Sequence, residues 1–312
     1  MKIFITGGAG FIGSNLSRIL YKEFKDINII DINKKNFDLY FNKSFSKKIN
    51  YYNFNLIDIE NYKDIFSDCD ILIHLAANGG VIDSIKDPYS NFQKNCDIAL
   101  RLLEVARKKN IKKIIFASTG GALFGKESKI VNENMQTSPL SPYGASKLVN
   151  ETYASVYSHC YDMNIACLRF ANIYGPNSIH KNGLIQNIMR SYILNKPLNI
   201  FGDGSATRDF LYVDDLCNGI NNLIKTNFKK FNIYNLSNGK EISVNNVVKT
   251  FTAIIGKNKL FIKNLHERKG EIKNNHSDNN KAKNELKFNP EYNLEKGLDK
   301  TLSWFKKNKN LL

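Results

Sequence analysis

The chain has 312 residues, 42% of them hydrophobic and 24% charged, with a formal net charge of +16. That is ample for a large buried core in one or two domains. No apolar run approaches the ~18 residues needed to cross a bilayer, which argues against a membrane protein.

Short β-rich runs alternate with helical stretches. Strands are expected at 2–6, 27–31, 51–55, 71–76, 113–118 and 165–170, and helices at 11–24, 91–109 and 142–161. Such alternation predicts βαβ units, and hence an α/β fold with a doubly wound parallel sheet covered on both faces. The run from Ile71 to Ala77 is nearly all apolar, as an inner parallel strand requires. After residue 170 the rhythm changes. Turn signals surround Gly175-Pro176 and Gly202-Asp203-Gly204, an amphipathic helix is expected at 185–194, and a strand at 231–236. The segment 263–287 reads as polar and irregular, followed by a last helix at 294–307. Residues 1–170 are expected to form a nucleotide-binding domain. Residues 171–312 are expected to form mainly a smaller α/β substrate domain, with some segments returning to the first.

Gly7-Gly8-Ala9-Gly10-Phe11-Ile12-Gly13 stands between the first strand and first helix, where a dinucleotide fingerprint belongs. Gly7 allows the tight turn, Gly10 lets backbone approach a pyrophosphate at the positive helix end, and Gly13 lets helix and strand pack. Asp31 closes the second strand, where a carboxylate can bind an adenosine ribose and repel a 2′-phosphate. This favours NAD over NADP, although Lys34 and Lys35 stand close by. Asp58-Ile59 after the third strand could bracket adenine. His74-Leu75-Ala76-Ala77 after the fourth leaves room for a cofactor. Tyr143 and Lys147 lie four apart on an expected helix, sharing one face. A cation beside a phenol lowers its pKa, so the pair reads as a proton-transfer device.

Together these motifs resemble the extended short-chain dehydrogenase/reductase family, in its NAD-dependent epimerase/dehydratase branch. The resemblance extends to Ala117-Ser118-Thr119-Gly120-Gly121, Arg169 to Pro176 and Arg208 to Asp215, and covers residues 1 to about 290. It implies a Rossmann-type domain, NAD as cofactor and a nucleotide-sugar substrate. Tyr143 matches the family's base and Lys147 its activating lysine. Thr119, or else Ser118, matches the hydroxyl that holds the substrate oxygen, with Thr119 favoured by register. Phe11, Ile12, Leu75, Ala76 and Ala77 fall in the cofactor motifs. Asn172, Arg208 and Arg268 match residues contacting the sugar diphosphate. Glu271 stands at a ribose-holding position, and Asn275 near the position that gates bulky sugar substituents. The resemblance also implies a homodimer through the helices at 91–109 and 142–161.

Dehydratases of this branch carry Asp-Glu after the threonine, and decarboxylases a nearby glutamate. Here Gly120, Gly121 and Ala122 follow, so elimination lacks its acid and base. The implied reaction is C4 inversion of a UDP-linked hexose, UDP-glucose/UDP-galactose or an N-acetyl form, through a transient 4-keto sugar. Rivals on the same scaffold are a UDP-glucuronate epimerase, a reductase or a dehydratase. A different class of rival is a regulatory or nucleic-acid-binding homologue. The lysines are spread along the chain rather than gathered in one patch, which argues against nucleic acid. The five cysteines are scattered without C-x-x-C, and the apolar run at Ile3 leads straight into a glycine turn. Reduced thiols, no export signal, a cytoplasmic location and no metal site are therefore expected.

Overall fold

The computed structural model describes residues 1–41, 43–125, 130–256, 260–266, 274 and 276–312. Seven strands form one sheet: β1 (Lys2–Thr6), β2 (Asp26–Ile30), β3 (Asn50–Tyr52), β4 (Ile71–His74), β5 (Lys113–Thr119), β6 (Asn164–Phe170) and β7 (Phe231–Leu236). Their spatial order is β7-β6-β5-β4-β1-β2-β3, and every neighbouring pair is parallel. The chain steps outward from β1 to β3 and then returns to β4 on the other side of β1. That reversal opens a crevice at the carboxyl edge between β1 and β4. Side chains alternate across the sheet, so Ile3 and Ile5 enter one core and Phe4 the other.

A third core, including Ile188, Met189, Val247, Phe251, Leu298 and Phe305, belongs to the second half of the chain. Around it lie short strand pairs: Asn172–Tyr174 with Phe210–Tyr212, Thr207–Arg208 with Ile242–Ser243, and Leu198–Phe201 with Ile262–Leu265. The halves interpenetrate. β7 comes from the second half, and the helix Val213–Lys225 packs on the helix Phe11–Leu20. Lys225 and Asn221 both reach Glu23, at 2.6 and 2.9 Å.

Several boundaries differ from expectation. The first helix ends at Leu20 and the third strand at Tyr52, because the Asn53 side chain turns back to the Asp31 carbonyl at 2.9 Å. The helix expected at 91–109 is preceded by the short helix Pro88–Phe92 and opens into a π-type turn at Gln93–Asp97 before Ile98–Lys108. Residues 263–287 are less irregular than their polarity suggests, for they carry most of the strand Ile262–Leu265 and the helix Asn280–Leu286. Among the described residues no helix is long and apolar enough to cross a membrane.

Candidate active site

The glycine loop is shaped for close approach. Gly7 has φ +68°, and a Cβ there would lie 2.7 Å from the Ala76 nitrogen, so the loop sits directly against the Leu75-Ala76-Ala77 segment. A Cβ on Gly13 would collide with the Gly7 carbonyl oxygen. Gly10 caps the Phe11–Leu20 helix with no side-chain cap and no acidic residue in its first turn. The first-turn N–H groups of such a helix lack intrahelical partners and suit a phosphate. Asp31 accepts from the Ala9 and Asn33 backbone N–H groups at 3.0 and 2.9 Å. Burial raises its pKa, opposed by those bonds. Lys34 is ion-paired with Asp38 at 3.0 Å and lies over the Phe37 and Tyr51 rings. Ile59 is fully buried and Asp58 exposed at the sheet edge. His74 pairs with the Thr6 hydroxyl at 2.7 Å, and burial pushes it down to about 3, so it stays neutral.

The Pro142–Tyr161 helix starts at the carboxyl edge of β5. Ser141 caps it by accepting from the Gly144 N–H at 3.1 Å, and Pro142 occupies the first turn. Gly144 is required because a Cβ would strike the Ala122 carbonyl, in the segment after Thr119. This close packing brings the Tyr143 phenol to the Thr119 hydroxyl, with which it hydrogen-bonds. Ser118, the neighbouring residue on β5, points elsewhere and donates to Glu151 at 2.6 Å. Lys147 is 3% exposed, and its Nζ donates to the Ala117 carbonyl at 2.9 Å and lies 5.9 Å from the Tyr143 ring centroid.

The pair's electrostatics differ from expectation. Burial pushes the Tyr143 phenol up to about 12, opposed by the Thr119 hydrogen bond. Burial pulls Lys147 down to about 8. The Lys147 ammonium is turned to the Ala117 carbonyl, and among the protein's own groups desolvation dominates the Tyr143 phenol.

Downstream, Asn172 and Arg208 come together. The Asn172 side chain and backbone both bond the Asp209 carbonyl, at 3.1 and 2.9 Å. Arg208 Nη1 donates to the Thr207 carbonyl at 2.7 Å. Asp209 is buried and receives the Asn238 and Gly239 N–H groups at 2.8 and 2.9 Å, fixing the strand that carries Arg208. Arg268, Glu271 and Asn275 lie outside the described residues. Asn274 and His276 beside them reach Thr207 and Glu241, at 3.4 and 3.3 Å.

Sequence reasoning missed an asparagine network behind Tyr143. Asn95, in the π-type turn, accepts from the Asn78 N–H at 2.8 Å and donates to the Ser146 hydroxyl at 3.2 Å. Ser84 accepts from the Tyr143 N–H at 3.1 Å. It also missed the buried pair Glu151–Arg169, although Glu151 at four residues past Lys147 was a readable signal. Among the described residues no group of three or more His, Cys, Asp or Glu stands ready for a metal.

A glycine cradle at the switch point of a parallel sheet, with hydroxyl, tyrosine and lysine at the edge of the next strand, defines a dinucleotide-dependent α/β enzyme scaffold. The chain belongs to the NAD dependent epimerase/dehydratase family, whose model matches residues 3–237. It is similar to the Thermotoga maritima UDP-glucose 4-epimerase solved with UDP-glucose (30% identity, 99% of this chain and 100% of that one, TM-score 0.92). It also resembles the UDP-N-acetylglucosamine 4-epimerase of Methanobrevibacter ruminantium (27%, 98% of each chain, TM-score 0.92). A third likeness is to the Bacillus cereus UDP-glucuronic acid 4-epimerase, solved with UDP-glucuronic acid and NAD (29%, 99% and 100%, TM-score 0.88). The family's cofactor is NAD, and the residues present fit it: the cradle has no side chain in the pyrophosphate's way and Asp31 stands where a ribose is bound.

Proposed function

We propose that this protein is an NAD-dependent epimerase that inverts C4 of a nucleotide-activated hexose, UDP-glucose/UDP-galactose or an N-acetyl form, through a 4-keto intermediate. The observation that carries the reading is the Thr119–Tyr143–Lys147 grouping without a carboxyl group in the residues that follow Thr119. At Gly120 a Cβ would already press on the Phe170 carbonyl at 3.2 Å and the Ser277 hydroxyl at 3.1 Å. Elimination therefore has neither an acid nor a base there.

Gly7, Gly10, Phe11, Ile12 and Gly13 would hold the pyrophosphate, Asp31 the adenosine ribose, Asp58 and Ile59 the adenine, and Leu75, Ala76 and Ala77 the wall beside it. Lys147 would hold the nicotinamide ribose. NAD supplies a reversible hydride acceptor of positive charge. Tyr143 takes the proton of the 4-hydroxyl, Thr119 orients that oxygen by a hydrogen bond, and Lys147 stabilises the phenolate charge. Bound at this site, NAD would supply a positive charge that favours the Tyr143 phenolate against the burial that holds the phenol up at about 12. Arg208 and Asn172 hold the diphosphate, which leaves the keto sugar free to present its other face. Tyr143 then returns the proton to the inverted oxygen.

A homodimer is proposed through the helices around residues 88–108 and 142–161. Tyr89, Phe92, Tyr153 and Val156 are large apolar side chains exposed there. The deciding experiment incubates the purified protein with UDP-glucose, UDP-N-acetylglucosamine and UDP-glucuronate without added cofactor. Accumulation of a C4 epimer of UDP-glucose or UDP-N-acetylglucosamine supports the reading, and turnover of UDP-glucuronate alone, consumption of external NAD(P)H or a dehydrated sugar overturns it.

A further inference from the structure

Behind the proton-transfer site lies a charged unit that neither catalysis nor cofactor binding has used. Arg169 on β6 and Glu151 on the Pro142–Tyr161 helix are 3% and 4% exposed. Arg169 Nε donates to Glu151 Oε1 at 3.0 Å and Nη2 to Oε2 at 2.8 Å, a two-pronged pairing. Ser118 on β5 adds its hydroxyl to Oε1 at 2.6 Å. The guanidinium lies 5.2 Å from the centroid of the Phe124 ring, in the segment after Thr119. The pair thus ties together two strands, the helix of Tyr143 and Lys147, and the loop beyond the hydroxyls. Buried ion pairs contribute little to net stability, because desolvation offsets their attraction. A pair this deep calls for another reason.

We propose that Glu151, anchored by Arg169, is a positioning residue of the reaction. It draws Ser118 away from the substrate, leaves Thr119 beside Tyr143, and sets a negative charge behind Lys147. The inference rests on the epimerase reading for its kinetic consequence only.

Glu151 lies one turn beyond Lys147 on the same face. The groups acting on Lys147 come from several elements: Cys167 from β6, Cys96 from the π-type turn and Glu151 from its own helix, all favouring the ammonium, and Lys181 from the loop after the strand Asn172–Tyr174 opposing it. His74 on β4 is neutral and Tyr143 protonated. Burial pushes Cys96 up to about 11 and Cys167 well above the thiol range, so both are uncharged at neutral pH. Among these groups Glu151, the carboxyl group held by Arg169, is the acidic one that favours the Lys147 ammonium.

The test uses Glu151→Gln, which keeps an acceptor for Ser118 and removes the charge. Without the anion Lys147 loses its proton at lower pH. The basic limb of the kcat profile should move down by about 1 pH unit, and kcat should fall about 10- to 100-fold with KM nearly unchanged. If the orphaned Arg169 prevents folding, Glu151→Gln/Arg169→Gln removes both charges, and its basic limb should shift in the same direction. Ser118→Ala, the mildest change, should cost under about tenfold, against about 100-fold or more for Thr119→Ala. An unmoved basic limb in a folded Glu151 variant, or a larger loss from Ser118→Ala than from Thr119→Ala, overturns the proposal. The Lys147 titration in wild type and variant, followed by NMR of its Nζ, reads the same shift without turnover. A shifted titration in a protein inactive on every sugar would leave the positioning role standing and count against the epimerase reading.

Discussion

The region around the glycine loop and the region around Asn172 and Arg208 are built differently. Around the cradle, backbone and side-chain positions are fixed by collisions: Gly7 against Ala76, Gly13 against the Gly7 carbonyl, Gly144 against the Ala122 carbonyl. Around Asn172 and Arg208 they are fixed by hydrogen bonds spanning dozens of residues, such as Asp209 with Asn238 and Gly239. The first region is set by steric fit of backbone against backbone. The second is set by directed polar contacts, which suits the proposed role of anchoring a diphosphate.

Breaking the first region should be the more severe. Tyr143→Phe removes the proton acceptor, so turnover should fall by about 10³-fold or more while NAD stays bound, measured by product formation and by cofactor content of the purified variant. Gly13→Ala forces its Cβ into the Gly7 carbonyl. It should cost about 1–3 kcal/mol of stability with loss of bound NAD, read by denaturant titration and by cofactor released from the purified variant. Arg208→Ala should act only through the anchor, raising KM for the UDP-sugar about tenfold with a smaller effect on kcat, in steady-state assays. Equal losses from Arg208→Ala and Tyr143→Phe in kcat would erase the distinction between the regions.

The smallest effect runs the other way. The folded Lys147 pKa, about 8, lies below that of an exposed lysine. Between pH ~8 and ~10.4 the unfolded chain binds more protons, so this lysine's contribution to stability rises with pH across that window and is a cost at neutral pH. Lys147→Met should therefore unfold at a slightly higher temperature at pH 7, by roughly a few degrees, although catalytically inactive. A fall in melting temperature would contradict the burial cost.

The same contrast explains what could be read from the chain. β1, the helix Pro142–Tyr161, β7 and the helix Leu294–Lys307 coincide with their expected bounds, because apolar periodicity, Ser141-Pro142 and the glycines are local signals. The strand Ile262–Leu265 escaped notice because its partner is Leu198–Phe201, more than sixty residues away, and its side chains are mostly exposed. The π-type turn at Gln93–Asp97 was hidden inside a continuous helical pattern, yet it puts Asn95 behind Ser146. Choosing between Ser118 and Thr119 required the sheet's alternation together with Glu151, a partner thirty-three residues further on. Charges on Tyr143 and Lys147 were the least legible, because burial is a property of the whole fold.

The central claim is that C4 gives up a hydride and its hydroxyl oxygen a proton, and that both return to the same sugar. It is tested most directly with a UDP-hexose deuterated at C4, incubated with the purified protein and no added NADH. The account predicts the C4 epimer with the deuterium still at C4 and no net change in cofactor absorbance. Deuterium lost to solvent, or product formed only when external NAD(P)H is consumed, would contradict it.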